Sequence, residues 1–293
     1  MVGMLPVRAR ADDPAGAQPA VHDLPLLGVR PALPAYLRQL WGRREFLVLL
    51  ALSRVRAEND RDRLGPAWVV LKPLINAVVY GAVFGLLLRA DSRPDNFVPF
   101  LVAGVFVFAH LSSCLTDGAA SVSGSADLVR SLRFPRAVLP LAVVVQRTVG
   151  LGAMTAVLLV VVVACGEPVR TSWLLVVPAL ALATVFAAGT ALAAARLTVH
   201  LRDLAHLLPF LTRLLFYVSG IFYELDRVVT DPRALAVLEL NPAHVYITLV
   251  RGALLTESTA TSGTWVLGVL WALVALPAGL VFFWRAEQEY GRD

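Results

Sequence analysis

Six apolar blocks, almost free of charge, decide what this chain can fold into. They run Ala67–Leu88, Phe97–Leu115, Ala137–Cys165, Trp173–Ala195, Leu207–Phe222 and Trp265–Trp284. Blocks of about 20 apolar residues match the hydrocarbon thickness of a bilayer. There each backbone N–H and C=O must be satisfied within the segment, so such blocks become helices. Composition agrees: 58% of the 293 residues are hydrophobic and 16% are charged, against about 25% charged in a soluble domain. The expected fold is all-α and polytopic. It has six transmembrane helices, an N-terminal amphipathic interfacial helix and short re-entrant helices in the last extracytoplasmic loop.

Basic residues assign the sides. Eight arginines from Arg30 to Arg63 precede the first block. Arg130, Arg133, Arg136, Arg196 and Arg202 follow blocks two and four, and Arg285 and Arg292 follow the last. The alternate loops hold Arg89, Arg93, Arg170, Arg227, Arg233 and Arg251. Fifteen against six puts both termini in the cytoplasm of a multi-pass cell-membrane protein, because Lys and Arg set orientation and acids contribute little. The net charge of +5 therefore marks loops, and no nucleic-acid partner is expected.

Three units follow along the chain. Residues 1–34 carry Pro6, Pro14, Pro19, Pro25, Pro31 and Pro34 with scattered charge and no apolar core. They are expected to form a disordered cytosolic tail, not a cleavable signal. Residues 35–65 place Leu37, Leu40, Trp41, Leu47, Val48, Ala51, Leu52 and Val55 at helical spacing, with Arg38, Arg43, Arg44, Arg54 and Arg56 on other faces. The longest apolar run there, Phe46–Leu52, has seven residues, far too few to cross. The helix is expected to lie on an anionic cytoplasmic leaflet, which makes membrane lipid a partner; a soluble helix packed on a cytosolic domain is the other reading. Residues 66–293 are the transmembrane domain. In its last extracytoplasmic loop, 224–264, Asn241 is placed to cap a short helix and Pro242 to take its first position.

Chemistry-bearing motifs are sparse. No phosphate-cradling GxxxxGK[ST] occurs, and His22, His110, His200, His206 and His244 lack ligand spacing. Cys114 and Cys165 read as small buried hydrophobes. Gly150 and Gly152 in GLGAM (150–154) read as helix-packing positions. No catalytic or metal-ligating set is expected, so energy for any work must come from a partner or a gradient. Gradient-driven carriers place acids inside spans; here only Asp117, near a block's end, comes close.

The charges inside blocks are basic: Lys72, Arg147 and Arg213. Lys72 is near enough to its block's start to snorkel. Arg147 and Arg213 lie deeper, and an unpaired arginine at mid-bilayer costs at least about 2.5–3.5 kcal/mol. Each is expected to face a bundle interior, a polar cavity or a bound anion, either in a translocation path or in structural hydrogen bonds. Phe216, Tyr217, Phe222 and Tyr223 cluster toward the outer half, with Phe97 and Phe100 nearby in the second block. They form an interfacial belt or line a conduit in which aromatic faces stack on sugar rings.

In order of parts the chain resembles the ABC-2 type permeases, and among them the Wzm/TagG-like subunits that export lipid-linked polysaccharide such as O-antigen, galactan or teichoic acid. The resemblance rests on RLGPAWVVLKPLINAVVYGAVFG (63–85), NFVPFLVAGVFVF (96–108), SADLVRSLRFPRAVLPL (125–141), RDLAHLLPFLTRLLFYVSGIFYEL (202–225) and NPAHVYITLVRGALL (241–255). It covers most of the chain from about residue 36 to 285. It implies that the segment 125–134 is a coupling helix docking on a separate ABC ATPase subunit. Leu128, Val129 and Leu132 would supply an apolar edge, and Arg130, Arg133 and Phe134 would flank it. It also implies a homodimer and a polyprenyl-pyrophosphate-linked glycan as cargo. No cofactor is bound by this chain, since ATP and Mg2+ belong to the partner subunit. Two rivals stand: an ABC-2 permease for a small hydrophobic drug or lipid, and a membrane-embedded enzyme on lipid-linked sugars using Glu224, Asp226 and Asp231.

Overall fold

The computed structural model describes residues 32–59, 64–65, 67–87, 96–132, 134–201 and 203–287. Among them no strand occurs. The helices in order are α1 (Leu33–Gly42), α2 (Arg44–Asn59), α3 (Ala67–Leu87), α4 (Phe97–Ala120), α5 (Ala126–Ser131) and α6 (Val138–Ala164). Then come α7 (Val176–His200), α8 (Leu204–Val218), α9 (Leu225–Val228), α10 (Pro232–Glu239), α11 (Pro242–Leu254) and α12 (Ser262–Arg285). Segments such as VLLVVVV (157–163) would favour a strand in water. They are helical here because a helix alone satisfies its own backbone in lipid.

The result is an all-α polytopic membrane protein. Four helical segments, Phe97–Ala120, Val138–Ala164, Thr171–His200 and Ser262–Arg285, are each long and apolar enough to cross a membrane. The 21 residues of α3 extend roughly 31 Å, also a full hydrocarbon core. The 15 residues of α8 extend roughly 22 Å, less than the expected fifth span needs.

α7 sits at the centre, packed along α12, α4 and α6. Its contact faces are small, with Ala179, Ala183, Ala187, Gly189, Ala191 and Ala194 all buried. A Cβ on Gly189 would overlap the backbone of Ala275, and one on Gly279 would overlap the Gly189 carbonyl. The α7 and α12 backbones therefore touch, which is how helices gain dispersion contact where lipid offers no hydrophobic drive. α4 is enclosed on nearly all sides, from Pro99 through Leu111.

α11 re-enters this bundle against α4, α7 and α12, burying Val245, Tyr246, Ile247, Leu249 and Val250. Its start is as expected: the Asn241 side chain accepts from the Ala243 N–H at 3.0 Å, with Pro242 in the first turn.

Several boundaries differ from the sequence reading. α1 begins at Leu33, inside the 1–34 bounds expected for the tail; residues 1–31 lie outside the described residues. The single amphipathic helix is two, broken at Arg43. Tyr36 and Ala51 are buried, whereas Trp41 (71% exposed), Leu49 (66%) and Val48 face outward. The expected stripe is split because α2 lies along α6 with one side and leaves a second apolar side open. α4 and α7 outrun their apolar blocks, carrying Asp117 and Arg196 into helix; Arg196 donates to the Phe282 carbonyl and stacks 4.1 Å from its ring centre. α8 stops at Val218, so Phe222 and Tyr223 lie beyond it in a turn. The turn is made at Gly220, whose φ of +67° is open to glycine at little cost.

Candidate functional site

A cleft of about 940 Å³ opens between α2, α3, α4 and α6, at the end of the bundle where α4 stops and α6 begins. Its walls carry Arg54, Lys72 and Arg147 together with Glu58 and Asp117. Arg147 holds both acids. Its Nε donates to Asp117 Oδ2 at 2.7 Å, while Nη2 and Nη1 donate to Glu58 Oε1 and Oε2 at 2.9 and 3.3 Å. The guanidinium fork thus takes Glu58 in bidentate fashion and its inner edge takes Asp117, a geometry suited to carboxylate or phosphate. Arg54, one helical turn before Glu58, donates through Nη2 to Ser125 Oγ at 3.0 Å. Ser125 precedes α5, but its hydroxyl makes no helix cap. Lys72 is exposed, its Nζ 5.9 Å from the Trp68 ring centre.

A second feature is an aromatic cluster around Phe216. Its ring lies 5.1 Å from Tyr80, 5.1 Å from Phe108, 5.2 Å from Phe222 and 5.7 Å from Tyr217, mostly edge to face. Phe222 is buried, Tyr217 is exposed, and the Tyr223 hydroxyl donates to the Tyr217 carbonyl at 2.9 Å. Arg213 is on the outer face of α8, among exposed Leu207, Phe210, Leu211 and Leu214. Within this chain it therefore does not face the bundle interior, one of the three settings expected for it. α8 turns its other side to α4, and Arg213 shares the outward side with Phe210 and Tyr217 at i−3 and i+4.

The third feature is a buried clamp. Arg251 on α11 is 3% exposed. It donates to the carbonyls of Phe100 (3.0 Å), Gly220 (2.9 Å) and Ile221 (2.9 Å), and its guanidinium carbon lies 3.3 Å from the Phe100 ring centre. A Cβ on Gly104 would stand 2.6 Å from Nη2, so glycine makes the room on α4. The clamp ends α8 and sets Phe222 beneath Phe216. Nearby, Glu167 joins three loops, accepting from Asn96 Nδ2 at 2.8 Å, the Thr256 N–H at 3.1 Å and the Thr256 hydroxyl.

The architecture now has its counterpart among known proteins. The model of the ABC-2 type transporter family matches residues 47–255. The chain belongs to that family. It is 27% identical over 205 residues to the O-antigen export system permease protein RfbA of Myxococcus xanthus, covering 70% of this chain and 78% of that protein. It is 26% identical over 185 residues to the O-antigen export system permease protein RfbA of Klebsiella pneumoniae, covering 63% and 71%.

In this ABC-2 transporter subunit the residues singled out from sequence divide into separate places. Lys72 and Arg147 meet in the cleft; Phe216, Tyr217, Phe222 and Tyr223 meet in the aromatic cluster; Arg213 stands on the exposed wall beside it. Of the docking edge, Leu128 and Val129 are half-buried against Tyr36, Val122, Ala137 and Leu139, and Phe134 packs on Phe46 at 5.3 Å. Only Leu132, 50% exposed, is turned outward. Arg133 and the Arg130 side chain lie outside the described residues. Two of the acids proposed for an enzyme have structural work: Glu224 pairs with Arg227 at 2.5 Å, and Asp231 caps α10 by accepting from the Arg233 N–H at 3.0 Å. Sequence reasoning missed Glu58, and it noted Asp117 only as an acid near a block's end and Arg251 only as a loop charge. An unpaired Arg147 inside a span was the signal that an acid had to be near it; Arg251 was masked by its place in a loop assigned to the outer side.

A further tie closes the α5 end. The Tyr36 hydroxyl donates to Glu287 Oε2 at 2.8 Å, and the Arg136 N–H donates to Oε1 at 2.9 Å. The Ala137 N–H in turn donates to the Tyr36 hydroxyl at 3.2 Å. Burial pushes the Glu287 carboxyl up to about 7, although the Arg136 and Tyr36 bonds pull the other way.

Proposed function

We propose that this chain is the membrane-spanning permease subunit of an ATP-driven exporter. It carries a lipid-linked polysaccharide from the cytoplasmic to the outer side, working as two copies with an ABC ATPase that holds ATP and Mg2+. The cargo class rests on the curated relatives' names, which favour it over a small hydrophobic drug. Both termini and the α5 end are cytoplasmic, in accord with the arginine bias. α1 and α2 lie at that interface with Trp41, Val48 and Leu49 toward lipid. Leu132 and the arginines around it meet the ATPase.

Arg213 is the observation that carries the two-copy conduit. It sits exposed in the middle of an apolar face, where lipid would cost it at least about 2.5–3.5 kcal/mol. Exposed Ile75, Val78 and Val79 on α3 extend apolar surface on a helix neighbouring the same cluster. A second copy opposing these faces encloses Arg213 and makes the wall beside Phe216 and Tyr217 a shared polar path. The cleft with Lys72 and Arg147 then receives the pyrophosphate at the cytoplasmic end.

One set of single-cysteine variants, in a background lacking Cys114 and Cys165, tests this. Position 231 should label from outside, position 43 only after permeabilisation, and position 214 should cross-link two copies and block export. In lipid nanodiscs the complex with its ATPase should hydrolyse ATP faster with polyprenyl-pyrophosphate-linked glycan and not with hydrophobic drugs. Stimulation by drugs alone would favour the rival transporter, and no cross-link at 214 would remove the shared path.

A further inference from the structure

Within the cleft, the two acids on Arg147 are not equivalent. Asp117 belongs to α4, a spanning helix, and takes Nε. Glu58 belongs to α2, which lies along α6, and takes both terminal nitrogens, the fork that a phosphate would use. The pair is open to water, with Glu58 45% and Arg147 27% exposed at the side chain. Exposed ion pairs of this kind are weak, and a multiply charged phosphate group competes well for a bidentate arginine. Displacing Glu58 would leave Asp117 in place to hold the guanidinium.

α2 is tied at the same turn to the loop before α5. Arg54, four residues before Glu58, reaches Ser125 Oγ at 3.0 Å, and α5 begins at the next residue. A change at Glu58 thus has a short physical route to α5: from Glu58 through one turn of α2 to Arg54, then to Ser125. Phe46 on α2 against Phe134, at 5.3 Å, gives a second contact between the same two elements.

We propose that Glu58 and Arg147 form a substrate-sensing latch: a lipid pyrophosphate headgroup replaces Glu58 on the Arg147 fork, and the freed α2 acts on α5 through Arg54 and Ser125. The latch rests on reading the cleft as the place that receives the headgroup. It makes ATP hydrolysis by the docked partner depend on loaded cargo. In its absence Glu58 stands in for the phosphate and holds α2 against the bundle.

The test uses the full chain with its ATPase in phosphatidylcholine nanodiscs, with undecaprenyl pyrophosphate as the probe. Glu58→Ala removes the competitor and should tighten probe binding about two- to fivefold, the range an exposed ion pair represents. It should also raise ATP hydrolysis without probe toward the stimulated wild-type rate. Glu58→Gln, which keeps the side-chain size, should do both to a lesser degree. Arg147→Gln should hydrolyse ATP at the raised rate and lose the response to probe. Tighter binding with an unchanged unstimulated rate would overturn the latch and leave the cleft reading standing. Probe binding unaffected by both Glu58→Ala and Arg147→Gln would overturn the cleft reading and the latch with it. Equal stimulation by phosphatidylglycerol would show that bilayer lipid, not cargo, occupies the fork, and would overturn cargo sensing.

Discussion

Arg251 keeps its charge in a dry interior without a bonded carboxylate because three carbonyls and an aromatic face surround it. The Phe100 carbonyl, in the first turn of α4, keeps a lone pair free beside its helical bond, whereas the Gly220 and Ile221 carbonyls lie in the turn after α8 and have no helical partner. The arginine thus satisfies backbone groups that would otherwise be stranded. Arg251→Gln cannot span all three, and charged-group hydrogen bonds contribute on the order of 1.5–3 kcal/mol each. The thermal midpoint in detergent should fall by about 5–10 °C or more, while Arg213→Gln, on an exposed face, should leave it nearly unchanged. An Arg251→Gln variant as stable as wild type would mean that the clamp is not what shapes the α8 turn.

At the scale of elements, glycine decides which helices meet. The α7–α12 contact is a backbone touch at Gly189 and Gly279, where a Cβ has no space, and the atoms it would meet are backbone atoms that cannot swing aside. Gly279→Ala or Gly189→Ala should separate the helices and lower thermal stability in detergent, in the range of overpacking costs of about 1–3 kcal/mol. Gly152→Ala, with nothing within 4 Å of its Cβ, should be neutral or slightly stabilising through helix propensity. Gly150 has Val69 Cγ1 2.7 Å from its Cβ position, so of the two GLGAM glycines only one packs, against α3. Equal effects at 152 and 279 would refute the close-contact account. Sequence marked both glycines as packing positions, since helical periodicity does not say which side of α6 finds a neighbour.

Across the whole molecule, Glu287 gathers distant chain segments: α1 through Tyr36, the approach to α6 through Arg136, and the end of α12. Its carboxyl is raised to about 7 by burial, so the folded chain prefers it protonated. Its stabilising contribution is complete below the ordinary carboxylate range, declines as pH rises toward about 7, and is flat above that. Glu287→Gln should therefore gain most over wild type at about pH 8 and least at about pH 5, read as the difference in thermal midpoint. A difference that is constant with pH, or larger in acid, would reverse the assignment.

From sequence alone the class was fully determined, because apolar blocks of spanning length admit only helices in lipid, and the cap at Asn241 followed from local backbone chemistry. Arg147 and Lys72 were legible as charges that needed an explanation. Their setting was not, since Glu58 is 89 residues from Arg147 and Asp117 is 30, and no local pattern encodes such pairing. The tertiary structure decided which acids meet Arg147, that Leu128 and Val129 face inward, and that Arg213 faces out. It also decided where α8 stops, because a residue 31 positions away from Gly220 captures the carbonyls released at the turn. Burial of backbone by lipid sets the helices; which charges share a cleft depends on how those helices pack.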